Sequence, residues 1–341
     1  MKRLHYKGLC PLKIGLLIVM LAGLCSPAAT GSIPPSSLRE PGDDIPPGVP
    51  FVLSDEPLGL FSTITIPLKR AGRLFLIETT IDGQSGNLIF DTGASGLVLN
   101  KTYFRKYASF EKNTGGGITG EMAKVEHIKV GRIDISDLYY ENVPADLADL
   151  SHIENRRNIK VLGLMGINLI RQFEVTFDAL HNKLVLSRVD KAGNRLEPGK
   201  PGLNFDYRQK IDTQHDIILI EGKIGEKVLT FCLDTGAETN VLSAGLPKKV
   251  MNTVQITRRS NMVGSGSRGV EVLYGTMKEL LLSKHQFGEM ETVVRNMEAM
   301  SEAYGCTIDG MLGFDFWQKG IFCINFYTNE ISFSMNKAEK L

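Results

Sequence analysis

From residue 61 onward the chain is written in short stretches of alternating apolar and polar residues. A period of two is the pattern of half-buried strands. Phe61 to Leu68 alternates with Ile64 and Ile66 on one side. Leu74 to Ile81 is a second run, Asn87 to Phe90 a third, and Leu97 to Leu99 a fourth, with a turn over Asp82-Gly83-Gln84-Ser85-Gly86 between the second and third. Runs this short, closely punctuated by turn residues, predict an all-β fold.

The first sixty residues read differently. Ile14 to Leu24 is an apolar run of eleven residues, preceded by Lys2, Arg3, Lys7 and Lys13 and followed by the small residues Ser26, Ala28 and Ala29. A bilayer needs roughly 20 apolar residues, so the run suits the core of a cleaved export signal over residues 1–29. That predicts an exported protein, periplasmic or extracellular. The alternatives are an uncleaved anchor or a lipid on Cys25, and the bulky Leu24 counts against the lipid. Pro34, Pro35, Pro41, Pro46, Pro47 and Pro50 make residues 30–60 a poor core former, and hence a linker or a removable pro-segment.

An internal repeat organises the rest. Residues 76–99 align without gaps on 219–242, and residues 163–186 on 310–333. In the first block Leu76-Ile77-Glu78 matches Leu219-Ile220-Glu221, and Asp91-Thr92-Gly93-Ala94 matches Asp234-Thr235-Gly236-Ala237. In the second, Gly163, Gly166 and Asn182 match Gly310, Gly313 and Asn329. The offset grows from 143 to 147 between blocks, so the second copy holds a small insertion. Each copy ends with a short amphipathic helix (Ile167 to Phe173; Phe314 to Gly320) and two strands. The layout is therefore two homologous β lobes, 61–190 and 214–341, each with one short helix, joined by a Gly/Pro-containing connector over 191–213.

Composition narrows the function. The 341 residues are enough for about two domains. A net charge of +1 offers no electrostatic footprint for nucleic acid. The six histidines are scattered, and Cys232, Cys306 and Cys323 fit no zinc spacing, so neither metal nor cofactor is expected. Three cysteines allow at most one internal disulfide in an oxidising compartment, and the sequence does not assign it; buried apolar thiols are the other reading.

A lone Asp-Thr-Gly is usually an ordinary turn, with the Asp bonding its own main chain and the Gly at positive φ. Two copies at equivalent places in a repeat are different. Each follows an apolar strand (Leu88-Ile89-Phe90; Phe231-Cys232-Leu233). Pseudo-two-fold symmetry can bring Asp91 and Asp234 together where the lobes meet. Two carboxyls in contact cannot both ionise, so one can act as base on a water while the other, protonated, donates to a carbonyl. Gly93 and Gly236 would permit the tight turn that exposes each acid, and Thr92 and Thr235 could donate hydrogen bonds across the seam.

These motifs resemble the active-site loops of the aspartic peptidases, retropepsin-like ones in particular. Leu164-Met165-Gly166 and Met311-Leu312-Gly313 resemble the family's hydrophobic-hydrophobic-glycine element, and the resemblance spans about residues 61–335. It implies two retropepsin- or pepsin-like β-barrel lobes related by a pseudo-two-fold, with Asp91 and Asp234 as a catalytic dyad that hydrolyses peptide bonds. It also implies that Thr92 and Thr235 interlock beneath the acids. Glycine-rich hairpin flaps are expected at Gly115, Gly116, Gly117 and Ile118 and at Gly264 and Gly266, where plain loops are the alternative. Ala94 and Ala237 resemble the viral-type branch; pepsins usually carry a hydroxyl there, and its absence implies a less acidic working range. The substrate would be a peptide or protein, and one chain supplies both halves of the site, so a monomer suffices. A catalytically silent peptide-binding protein on the same fold is the alternative.

Overall fold

The structure, a computed structural model, describes residues 55–109, 111–116, 122–197, 204–263 and 269–335. The expected export signal, most of the Pro-rich segment, and flap residues Gly117, Ile118, Gly264 and Gly266 lie outside the described residues.

Among the described residues strands dominate, and they form three sheets. An eight-stranded sheet uses residues 69–148 and 161–165, and a nine-stranded sheet uses residues 218–312. The third has six strands, in the order Thr63–Pro67, Lys183–Arg188, Phe173–Asp178, Gly320–Asn325, Glu330–Met335, Tyr207–Lys210. Three come from each half of the chain. At its centre Phe173–Asp178 runs antiparallel to Gly320–Asn325, with Thr176 opposite Cys323. The lobes are thus hydrogen-bonded into one sheet.

The segment expected to be a connector contributes Tyr207–Lys210, which pairs with Glu330–Met335 as the mirror of Thr63–Pro67. Its alternation of half-buried and exposed positions carries only polar or amphipathic residues. It was therefore invisible to a pattern built on aliphatics. The turn after the second strand is also tighter than its sequence suggests. Leu74–Ile81 and Gln84–Phe90 are joined by Asp82 and Gly83 alone, both at positive φ (46° and 80°). That is the backbone of a two-residue hairpin turn, and Gln84, Ser85 and Gly86 extend the strand.

The short helices expected after Gly166 and Gly313 are present as a 3-10 turn, Ile167–Leu169, and a helix, Phe314–Trp317. Each lobe has two more: α1 (Lys101–Phe104) and α2 (Ser151–Arg157) in the first, α3 (Lys248–Met251) and α4 (Glu298–Tyr304) in the second. Equivalent signals delimit α2 and α4. Asp149 Oδ1 accepts from Ser151 N at 3.0 Å, and Asn296 Oδ1 from Glu298 N at 2.7 Å. Both helices end at a left-handed residue, Asn158 or Gly305. The insertion falls in one loop: Lys101 follows Asn100 directly, whereas residues 244–247 separate Ser243 from Lys248.

The main core crosses the seam. Phe177, in the shared sheet, meets Phe75 edge-on at 4.8 Å, Phe90 at 5.5 Å, and Trp317 of the second lobe at 5.4 Å. Phe90 immediately precedes Asp91, so aromatic packing from both halves fixes the strand that leads into the site.

Candidate active site

Both Asp-Thr-Gly loops are held by the same strand crossing. Gln84–Phe90 lies parallel to Val161–Met165, with Phe90 beside Met165. The chain then arches through residues 91–96 and returns as Leu97–Asn100, antiparallel on the other side of the same strand. Asp91 N donates to Met165 O at 3.1 Å and Ile167 N to Ala94 O at 2.9 Å, so the arch is clipped to the strand it straddles. The second lobe repeats this with strand Gly310–Leu312: Asp234 N donates to Leu312 O at 3.0 Å and Phe314 N to Ala237 O at 2.8 Å. The hydrophobic-hydrophobic-glycine elements are these central strands.

The two arches meet at the seam and lock reciprocally. Thr92 Oγ1 donates to Leu233 O at 2.9 Å and accepts from Thr235 N at 3.0 Å. Thr235 Oγ1 donates to Phe90 O at 2.7 Å and accepts from Thr92 N at 3.0 Å. Four buried hydrogen bonds with two-fold symmetry set the spacing of the acids one residue away.

Asp91 and Asp234 are both buried, in contrast to the expectation that the turn would expose them. Asp91 Oδ1 accepts from Gly93 N at 2.9 Å. Asp234 Oδ1 accepts from Gly236 N at 2.8 Å and Ala237 N at 3.1 Å, while no N–H or hydroxyl among the described residues reaches Asp234 Oδ2. Burial raises the pKa of both carboxyls. For Asp234 the charge of Asp91 adds to burial, while the main-chain N–H of Gly236 opposes them. Two buried carboxyls that perturb each other resist double ionisation, because each ionised form raises the cost of ionising its neighbour.

Gly93 and Gly236 have a different role from the one their turn setting suggests. Neither lies at positive φ. A Cβ on Gly93 would stand 2.0 Å from Asp234 Oδ2, and one on Gly236 would stand 2.6 Å from Asp91 Cγ. Each glycine leaves room for the opposing acid.

Supporting residues that the repeat blocks did not cover come from α2 and α4. Arg157, the last residue of α2, reaches over the seam to pair with Glu238 and donates through Nε to Ala71 O at 3.0 Å. Tyr304, at the mirror-related end of α4, reaches the other way: its hydroxyl donates to Gly93 O at 3.3 Å. Arg73 adds a donation to Glu238 O at 3.2 Å and an ion pair with Glu291 at 2.6 Å. Arg and Tyr differ chemically, so residue matching did not reveal that their positions correspond.

Each lobe also has a long antiparallel hairpin. Glu111–Gly116 pairs with Met122–Ile135, placing Gly115 opposite Ala123 and Gly116 opposite Met122. Val254–Val263 pairs with Gly269–Met277. The remaining flap residues are outside the described residues. Among the described residues no cluster of three or more His, Cys, Asp or Glu is placed to hold a metal ion.

Two β lobes sharing a central sheet and presenting mirrored Asp-Thr-Gly arches at their seam define a bilobal protein of the aspartic-protease class. The aspartyl protease family model matches residues 77–169 and 220–316, one stretch per lobe, and the chain belongs to that family. No curated protein matches the chain.

Proposed function

We propose that the chain is an endopeptidase in which Asp91 and Asp234 share a proton and hydrolyse peptide bonds through an activated water. The observation that carries this reading is the pair of buried, mutually perturbed carboxyls held by the reciprocal Thr92 and Thr235 bonds. The ionised acid takes a proton from water as the water attacks the scissile carbonyl. The protonated acid donates to the carbonyl oxygen, and the tetrahedral species collapses with transfer of a proton to the departing amine. No covalent intermediate is needed.

An extended peptide is the substrate this reading calls for, because strand-like main-chain pairing holds a peptide without demanding one sequence. The glycine-rich segments around Gly115 to Ile118 and Gly264 to Gly266 act as flaps in this reading. Export is its natural setting, since an apolar run of eleven residues behind four basic ones suits a cleaved signal. Ala94 and Ala237, where pepsins usually carry a hydroxyl that would stabilise the ionised acid, favour a working range less acidic than pepsin's.

Digestion of a random peptide library by the purified protein across pH, with and without a statine-type transition-state analogue, tests the assignment. Cleavage suppressed by the analogue is expected. Analogue binding without cleavage at any pH would instead mark a silent peptide binder.

A further inference from the structure

A cavity of about 400 Å³ opens between Arg171 and Gln172 of the first lobe, Thr213 at the end of the connector, and Phe326, Tyr327 and Asn329 of the second lobe. None of these residues belongs to the acid arches. Small-molecule sites span about 300–1,000 Å³, so the size admits one ring and a short polar chain. The lining carries a single charge. Among the described residues no carboxylate pairs with the Arg171 guanidinium, and the Gln172 amide and the Tyr327 hydroxyl have no partner either. The acids that flank the lining residues are engaged elsewhere: Glu174 with Arg195 at 2.6 Å, Asp212 with Gln214 N at 2.8 Å, and Glu330 with Arg208 and Lys210 at 3.7 and 3.8 Å. Thr213 Oγ1 donates to Asn329 Oδ1 at 2.9 Å, which leaves the amide NH2 of Asn329 as a further donor. Pseudo-symmetry separates these groups from the needs of the fold. Ile211 N donates to Asn329 O at 3.1 Å as Leu68 N does to Asn182 O at 2.8 Å, so the two turns are equivalent. At the mirror-related place Gln318 stands for Arg171 and Leu180 for Tyr327, while Arg70, in place of Thr213, stacks over Phe75 and Phe314 at 4.4 and 4.6 Å. The same backbone is thus built without the unpaired cation and its neighbouring ring.

We propose that this cavity binds a small aromatic carboxylate. The guanidinium fork of Arg171 takes the carboxylate through two parallel N–H···O bonds, a geometry that an ammonium does not match. Tyr327, whose side chain is exposed, and Phe326 offer ring faces against which the ligand's own ring packs. The amide NH2 groups of Gln172 and Asn329 are donors for the carboxylate lone pairs that Arg171 leaves free. A ligand held in this way touches both lobes, so it stabilises the folded chain by mass action. The site shares no residue with the acid arches and does not depend on peptidase activity.

The test is calorimetric titration of the full chain with N-acetylphenylalanine, with its neutral amide, and with inorganic phosphate. Saturable binding of the acid at one site per chain is expected, together with a rise in melting temperature, and no binding of the amide. Arg171→Met should weaken the acid roughly 10- to 100-fold, the loss of a charged hydrogen-bond partner, and Arg171→Lys should weaken it less. Tyr327→Ala should weaken it as well, with Arg171 still in place. Absence of binding by the acid, equal binding of acid and amide, or an affinity unchanged in Arg171→Met would each overturn the proposal. Phosphate binding as tightly as the acid would mark a site for bare anions and overturn the aromatic assignment.

Discussion

Thr92 uses both sides of its hydroxyl, donating to Leu233 O and accepting from Thr235 N, and both partner residues are buried at the seam. Thr92→Val keeps the shape and strands both main-chain groups. Each stranded group costs about 1–3 kcal/mol, so a loss of about 2–6 kcal/mol in urea denaturation is expected, with Thr92→Ser recovering most of it. The acids carry an opposite sign. Their pKa values are raised in the folded state, so the folded protein binds more protons than the unfolded chain and stability falls as pH rises through that window. Asp234→Asn removes one ionisable member. Its melting temperature relative to wild type should therefore climb from acidic to neutral pH; a difference independent of pH would show that folding does not raise the pKa of Asp234. At this scale the sequence was legible where residue identity repeats, as at Asp91 and Asp234. The real task of Gly93 and Gly236 was not, because it concerns the space taken by the other lobe's acid rather than local backbone torsion.

Helices α2 and α4 are short, and their importance lies in what their last residues reach. The side chains of Arg157 and Glu238 are only 11% and 16% exposed, so the pair is largely desolvated. Removing one charge leaves the other buried without its counter-ion, which costs about 3–5 kcal/mol, whereas replacing both with apolar groups costs much less. Glu238→Gln should therefore destabilise more than the double variant Arg157→Met/Glu238→Met, measured by chemical denaturation. Equal or greater damage in the double variant would remove the pair from the account. The aliphatic strands, the turns and the helices after Gly166 and Gly313 follow from periodicity and repeat. Tyr207–Lys210 and the paired helix ends do not, since the first is a polar edge strand and the second join chemically unlike residues across a long sequence separation.

The whole molecule is organised about a sheet to which both halves contribute, with a core that continues across the seam. Cutting between the halves would bare the edge of Phe173–Asp178 and the aromatic face around Phe177, and an unpaired edge of this kind seeks another strand. Residues 55–197 expressed alone should associate or aggregate, and the intact protein should unfold in a single calorimetric transition. A stable monomeric half would contradict this. The same seam brings the two acids together, which makes its chemistry the point on which the account stands. The most direct measurement is turnover of an unfolded polypeptide by wild type, Asp91→Asn and Asp234→Asn across pH, with circular dichroism verifying each fold. Cleavage by wild type and its loss in both folded variants is the expected result; undiminished cleavage by either variant would contradict a shared-proton dyad.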